Sequence, residues 1–75
     1  MCRNIKRLYN LEQLVTQEEI RAAAIQFIRK ISGFATPSGV NKESFNRAVD
    51  EVAQTASTML KSLRTKAPPK NRGLV

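Results

Sequence analysis

Few residues in this chain can do chemistry. The 75 residues hold one cysteine, Cys2, six acidic side chains, thirteen lysines and arginines, and no histidine. Without histidine, a Ser-His or Cys-His nucleophile pair cannot form within the chain. One cysteine cannot supply the several Cys and His ligands of a zinc site, nor an intramolecular disulfide. The carboxylates stand at helix starts or at opposite-charge spacing, positions where acids stabilise helices. The expectation is no catalytic residue, no metal and no cofactor. An enzyme would need a composite site in an oligomer, with Cys2 as nucleophile.

Cys2 itself admits two readings. A small second residue favours removal of Met1, leaving an N-terminal thiol beside Arg3. Nearby positive charge lowers a thiol's pKa and raises its reactivity, which suits redox sensing or an intermolecular metal site. The plainer reading is preferred: a small apolar residue packing under Ile5 and Leu8.

What the chain has in quantity is positive charge, +7 in all. It is unevenly placed. Residues 1–11 carry Arg3, Lys6 and Arg7 and no acid, and residues 61–75 carry Lys61, Arg64, Lys66, Lys70 and Arg72 and no acid. The stretch between them holds all six acids against five bases. Such a polarised excess is the electrostatic footprint of a polyanion binder, so these eight residues form the candidate contact set for RNA or DNA phosphates. The bland account is that Lys61, Arg64 and Lys66 complement a helix dipole while Lys70 and Arg72 solubilise a tail. Tyr9 is the single aromatic near the basic residues, too few for a base-stacking platform, so backbone contact without sequence reading is the form expected.

The elements that must position these charges are helical. Thr16 and Glu19 have capping-box spacing, with Val15 and Ile20 placed as a hydrophobic staple. Apolar residues recur at Ile20, Ala23, Ala24, Phe27, Ile28 and Ile31, a one-sided stripe of helical period. Gly33 can take the left-handed conformation that stops a helix, with Phe34 folding back on Ile28. A first helix is therefore predicted over 17–32. Thr36-Pro37-Ser38-Gly39 is turn chemistry, and Asn41 is the expected cap of a second helix, with Val40 and Phe45 as its staple. That helix is predicted over about 42–64, with an a/d seam at Phe45, Val49, Val52, Ala56, Met59 and Leu63. Pro68 and Pro69 forbid its continuation. Arg47 is spaced to pair with Glu43, Asp50 and Glu51. The i, i+3, i+4 spacing of Ile5, Leu8 and Tyr9 suggests a further short helix over about 3–9, with Leu11 and Leu14 as anchors over the helix pair.

The expected fold is all-α. An antiparallel two-helix hairpin is completed by the short N-terminal helix, one small domain spans 1–66, and 67–75 forms a flexible tail. In such a hairpin the end of the second helix lies near the start of the first, so both basic clusters converge on one pole. The connection is longer than the usual helix-turn-helix turn, which argues against that mode of DNA reading. The seam of the second helix also permits a homodimer or a protein partner. No run approaches the roughly 20 apolar residues of a membrane span. The N-terminal stretch has no signal-peptide core, and the cysteine usage fits a reducing cytoplasm.

Several segments carry a resemblance. They are Met1-Cys2-Arg3-Asn4-Ile5-Lys6, Glu18-Glu19-Ile20-Arg21-Ala22-Ala23-Ala24, Arg29-Lys30-Ile31-Ser32-Gly33-Phe34, Arg47-Ala48-Val49-Asp50-Glu51-Val52 and Ala67-Pro68-Pro69-Lys70. In this order, covering nearly the whole chain, they resemble the short bacterial proteins of the domain-of-unknown-function 2277 family. The resemblance implies a small cytosolic protein of no established activity and brings no catalytic residues to carry over. It also implies an Arg-rich stretch after the two prolines. This sequence departs there, with Asn71-Arg72-Gly73-Leu74-Val75.

Overall fold

The computed structural model describes residues 5–72. Two helices dominate: α1 over Gln17–Ser32 and α2 over Lys42–Ser62, with a 3₁₀ turn at Gly39–Asn41 leading into α2. No β-strand occurs among the described residues; one isolated parallel bridge joins Leu11 to Lys70.

α1 begins and ends as the sequence predicts. The Thr16 hydroxyl accepts from the Glu19 backbone N–H, and the Glu19 carboxylate accepts from the Thr16 backbone N–H, completing the capping box. At the other end Gly33 takes φ 79°, where a side chain would be strained, and donates its N–H to the Arg29 carbonyl. The start of α2 differs from the expectation. Asn41 has near-helical backbone angles and makes no side-chain cap; it belongs to the 3₁₀ turn, and its amide donates to the Ser38 hydroxyl. Val40 is 88% exposed, so it staples nothing. α2 closes at Ser62, two residues before the expected end, because Leu63 turns extended and starts the chain back toward the N-terminal segment.

The two helices run in opposite directions. Gln17 at the start of α1 donates its amide to the hydroxyl of Ser57 late in α2, and Arg21, one turn on, pairs with Asp50. Asp50 is thus taken across the hairpin by Arg21 rather than along the helix by Arg47, which pairs with Glu43 at i,i+4. The core between the helices is thin. Ile20, Ala24 and Ile28 from α1 and Val49 from α2 are buried, with Ile25, Phe45, Ala48, Val52 and Ala53 packed around Ala24, Ile28 and Val49. Ser57 is buried as well, its hydroxyl satisfied by Gln17. The predicted α1 stripe was wider than the face that is covered: Ile31 is 66% exposed, and Phe27 and Phe34 also face out.

The expected N-terminal helix is not seen over residues 5–9, which carry no helical hydrogen bonding; residues 3 and 4 lie outside the described residues. Three apolar residues at helical spacing cannot offset the cost of nucleating so short a helix. Instead Arg7 Nε donates to the Tyr9 carbonyl, and Asn10 turns the chain with φ 57°, a conformation Asn tolerates. Leu11 is half-buried, whereas Leu14 stays exposed.

The segment expected as a flexible tail is hydrogen-bonded from residue 67 to residue 72. The Asn10 side-chain amide donates to the carbonyls of Ala67 and Pro68. The Lys70 N–H donates to the Asn10 carbonyl, and the Glu12 N–H donates to the Lys70 carbonyl. α2 has already ended at Ser62, six residues before Pro68, so the prolines do not set its end; they stiffen an extended strap whose carbonyls the N-terminal segment can reach.

Val49 is 1% exposed at the centre of this core. Val49→Ala should cost about 2 kcal/mol, from lost transfer energy plus the residual cavity. Ile31→Ala, on the exposed side of α1, should cost well under 1 kcal/mol. Urea unfolding followed by circular dichroism checks the contrast; equal losses would mean that the core lies elsewhere.

Candidate functional site

The strap brings Lys70 and Arg72 beside Lys6 and Arg7 of the N-terminal segment. A hollow of about 400 Å³ lies between the N-terminal segment and the strap, bordered by Lys6, Arg7, Lys70 and Arg72, with Leu8 and Leu11 among its apolar walls. Lys6, Arg7 and Lys70 are exposed and make no ion pair among the described residues. Lys61 borders a neighbouring groove together with Tyr9 and Leu60. Arg64 and Lys66 are exposed on the connection between α2 and the strap and do not line the hollow. Cys2 and Arg3 lie outside the described residues.

Arg72 has a different place from the other seven. Its side chain is only 19% exposed, and its guanidinium is spread over α1's first turn and the segment leading into it. Nη1 pairs with Glu19 Oε2, while Nη2 donates to Glu19 Oε1 at 3.3 Å and to the Leu14 carbonyl at 3.2 Å. The Arg72 backbone N–H donates to the Gln13 side-chain carbonyl, and the Asn71 amide donates to Glu12. Arg72 is therefore a clasp, with two of its nitrogens already committed. Its Nε is buried and has no acceptor among the described residues.

Glu19 is the one acid on the hollow, and its charge is taken up locally. The hydrogen bond from Arg72 holds its carboxyl below the usual carboxylate range; the Thr16 backbone N–H and the Arg72 charge act in the same direction, with desolvation opposing. The hollow thus presents three unneutralised cations around a closed Arg–Glu pair. Such an arrangement can bind anions. The residues that line it include no cysteine, serine or histidine, and its one carboxylate is held in the pair with Arg72.

The sequence pointed to the capping role of Glu19 but not to its second partner. Arg72 lies 53 residues away in a stretch whose composition reads as linker. Asn10, Gln13 and Asn71, which complete the clasp, carried no signal beyond being polar. Ser57 could have been found: it continues the 49, 53 line of α2 at helical spacing, a polar residue on an apolar face that requires a partner.

Fold and site together define a small, basic, two-helix protein in which the segment leading into α1 and the strap after α2 are clasped to one another. The family model for "Uncharacterized conserved protein (DUF2277)" matches residues 1–75. The chain belongs to the DUF2277 family. No curated protein and no solved structure gives a significant match.

The Glu19–Arg72 pair makes stability depend on acid in a defined direction. A carboxylate whose pKa is lower in the folded than in the unfolded state contributes fully above the unfolded value, and that contribution is lost as pH falls through the folded one. Glu19→Gln should therefore lower the melting temperature at neutral pH and flatten its decline below about pH 4.3, the ordinary Glu value. Melting curves of both proteins across that range test this; parallel acid limbs would show that Glu19 is not the group responsible.

Proposed function

We propose that this protein is a small binding module, without enzymatic activity, that contacts nucleic-acid phosphates through its basic pole in the cytoplasm. The observation that supports this reading most directly is the meeting of Lys6, Arg7 and Lys70 on one hollow, with the single acid there already paired to Arg72. Lys61, Arg64 and Lys66 extend the positive surface, with Arg3 as an eighth basic residue of the contact set beside Arg72. Arg72 serves by holding the strap in place. Contact is to the backbone, because Tyr9 is the one aromatic beside these groups and a lone ring gives no base-reading platform. Among the described residues no helix is long and apolar enough to cross a membrane.

A 5′-hydroxyl oligoribonucleotide should bind at low salt, and its affinity should fall steeply toward physiological salt. Each phosphate contact released contributes about −0.7 to the slope of log K against log salt for a single strand. The triple variant Lys6→Ala, Arg7→Ala, Lys70→Ala should lower that slope by about two in magnitude. Fluorescence anisotropy over a salt series measures both, and absence of binding at low salt would rule the reading out.

A second reading has its own observation. Met59 and Leu63 continue the seam of α2 beyond the core and are 46% and 44% exposed, and Val52, Ala56 and Met59 border a shallow apolar hollow on α2. This face suits a protein partner or a second copy of the chain. Sedimentation equilibrium across the micromolar range decides on the homodimer. A dimer lost in Met59→Lys would support it, and a monomer throughout would remove it.

A further inference from the structure

We propose that the hollow between the N-terminal segment and the strap is a site for one phosphomonoester group, the terminal phosphate of a nucleotide or of a nucleic-acid strand. The inference deepens the phosphate-binding reading above by naming the group that enters.

Three observations carry it. First, Arg72 Nε is a buried donor with no acceptor among the described residues, although the other two nitrogens of the same guanidinium are bonded. A buried N–H left unmet costs free energy comparable to a lost hydrogen bond, so an acceptor oxygen is favoured there once the strap yields enough to open the atom to the hollow. Second, three cations that make no ion pair among the described residues, Lys6, Arg7 and Lys70, border the same hollow. A phosphomonoester carries about −1.5 to −2 charge at pH 7 and presents three terminal oxygens, more charge and more acceptors than the single charge of an internal phosphodiester. Glu19 does not repel it, because its carboxylate is closed by Arg72. Third, the hollow is concave, about 400 Å³, with Leu8 and Leu11 in its wall. That volume falls in the range of small-molecule pockets, and the apolar wall suits an organic ester over a bare inorganic ion. A continuous strand can lie across such a hollow but cannot readily fill it, whereas a terminus can enter.

The test uses the full chain labelled with ¹⁵N. Uridine 5′-monophosphate should shift the Arg72 Nε–H resonance and the Lys70 backbone amide, and uridine should shift neither. Lys6→Ala and Lys70→Ala should each weaken the nucleotide about tenfold, the effect of one charge-assisted hydrogen bond. Lys30→Ala, at the far end of α1, should leave it unchanged. A melting curve for each variant confirms that it is folded. Anisotropy with 5′-phosphorylated and 5′-hydroxyl forms of one oligoribonucleotide separates the two sources of the group. Preference for the phosphorylated strand without a mononucleotide shift assigns a strand end, and a shift with mononucleotide alone assigns a free nucleotide while removing the nucleic-acid reading. Equal affinity for the two strands together with no mononucleotide shift overturns the inference and leaves backbone binding standing. Uridine shifting Arg72 as strongly as its monophosphate overturns it too.

Discussion

One carboxylate holds three parts of this molecule in register. Glu19 Oε1 accepts from the Thr16 N–H at 3.0 Å, which fixes where α1 begins. Both Glu19 oxygens accept from Arg72, which fixes where the strap ends. Arg72 in turn donates to the Leu14 carbonyl and ties down the segment entering the helix. The buried apolar core consists of Ile20, Ala24, Ile28 and Val49, and none of these belongs to the N-terminal segment or the strap. Those outer pieces are positioned chiefly by polar contacts that converge on Glu19 and Asn10. Each such contact is individually modest, but a partly desolvated, bidentate Arg–carboxylate pair is stronger than an exposed Lys–Glu pair and has a defined geometry.

What could be read in the sequence was what local chemistry determines. Thr16 with Glu19, and Gly33 after a periodic run, mark the bounds of α1 because capping is decided within one turn. The opposite direction of the helices follows from the short connection. Beyond one turn the signals weaken. Ile5, Leu8 and Tyr9 have the spacing of a helix, yet Asn10 turns left-handed and the chain stays irregular. Met59 and Leu63 continue the periodicity of α2 past the point where α1 covers it, so the pattern gives a helix face but not its neighbour. The strap was illegible for a plainer reason. Pro-Pro-Lys-Asn-Arg has the composition of a linker, and its partners lie more than fifty residues away.

The candidate site shows the same division. Counting charges by segment was enough to separate two basic ends from a nearly neutral middle, and the structure places Lys6, Arg7 and Lys70 around one hollow. The count could not say which cations are spoken for. Arg72 looked like one of eight equivalent charges, but its depth and its acid partner set it apart from Arg64 and Lys66, which remain in solvent. The unmet Nε of Arg72 is likewise visible only once the clasp is drawn.

The clasp also bears on how the chain reaches this state. Most helix contacts here are local and form quickly, but the bonds from the strap span 53 to 59 residues. Closing so long a loop carries an entropic cost that is recovered only once both ends are ordered. On refolding, the hairpin can assemble before the strap closes on it. The basic hollow is therefore completed by the longest loop closure in the molecule, and a partly folded chain has its helices before it has its site.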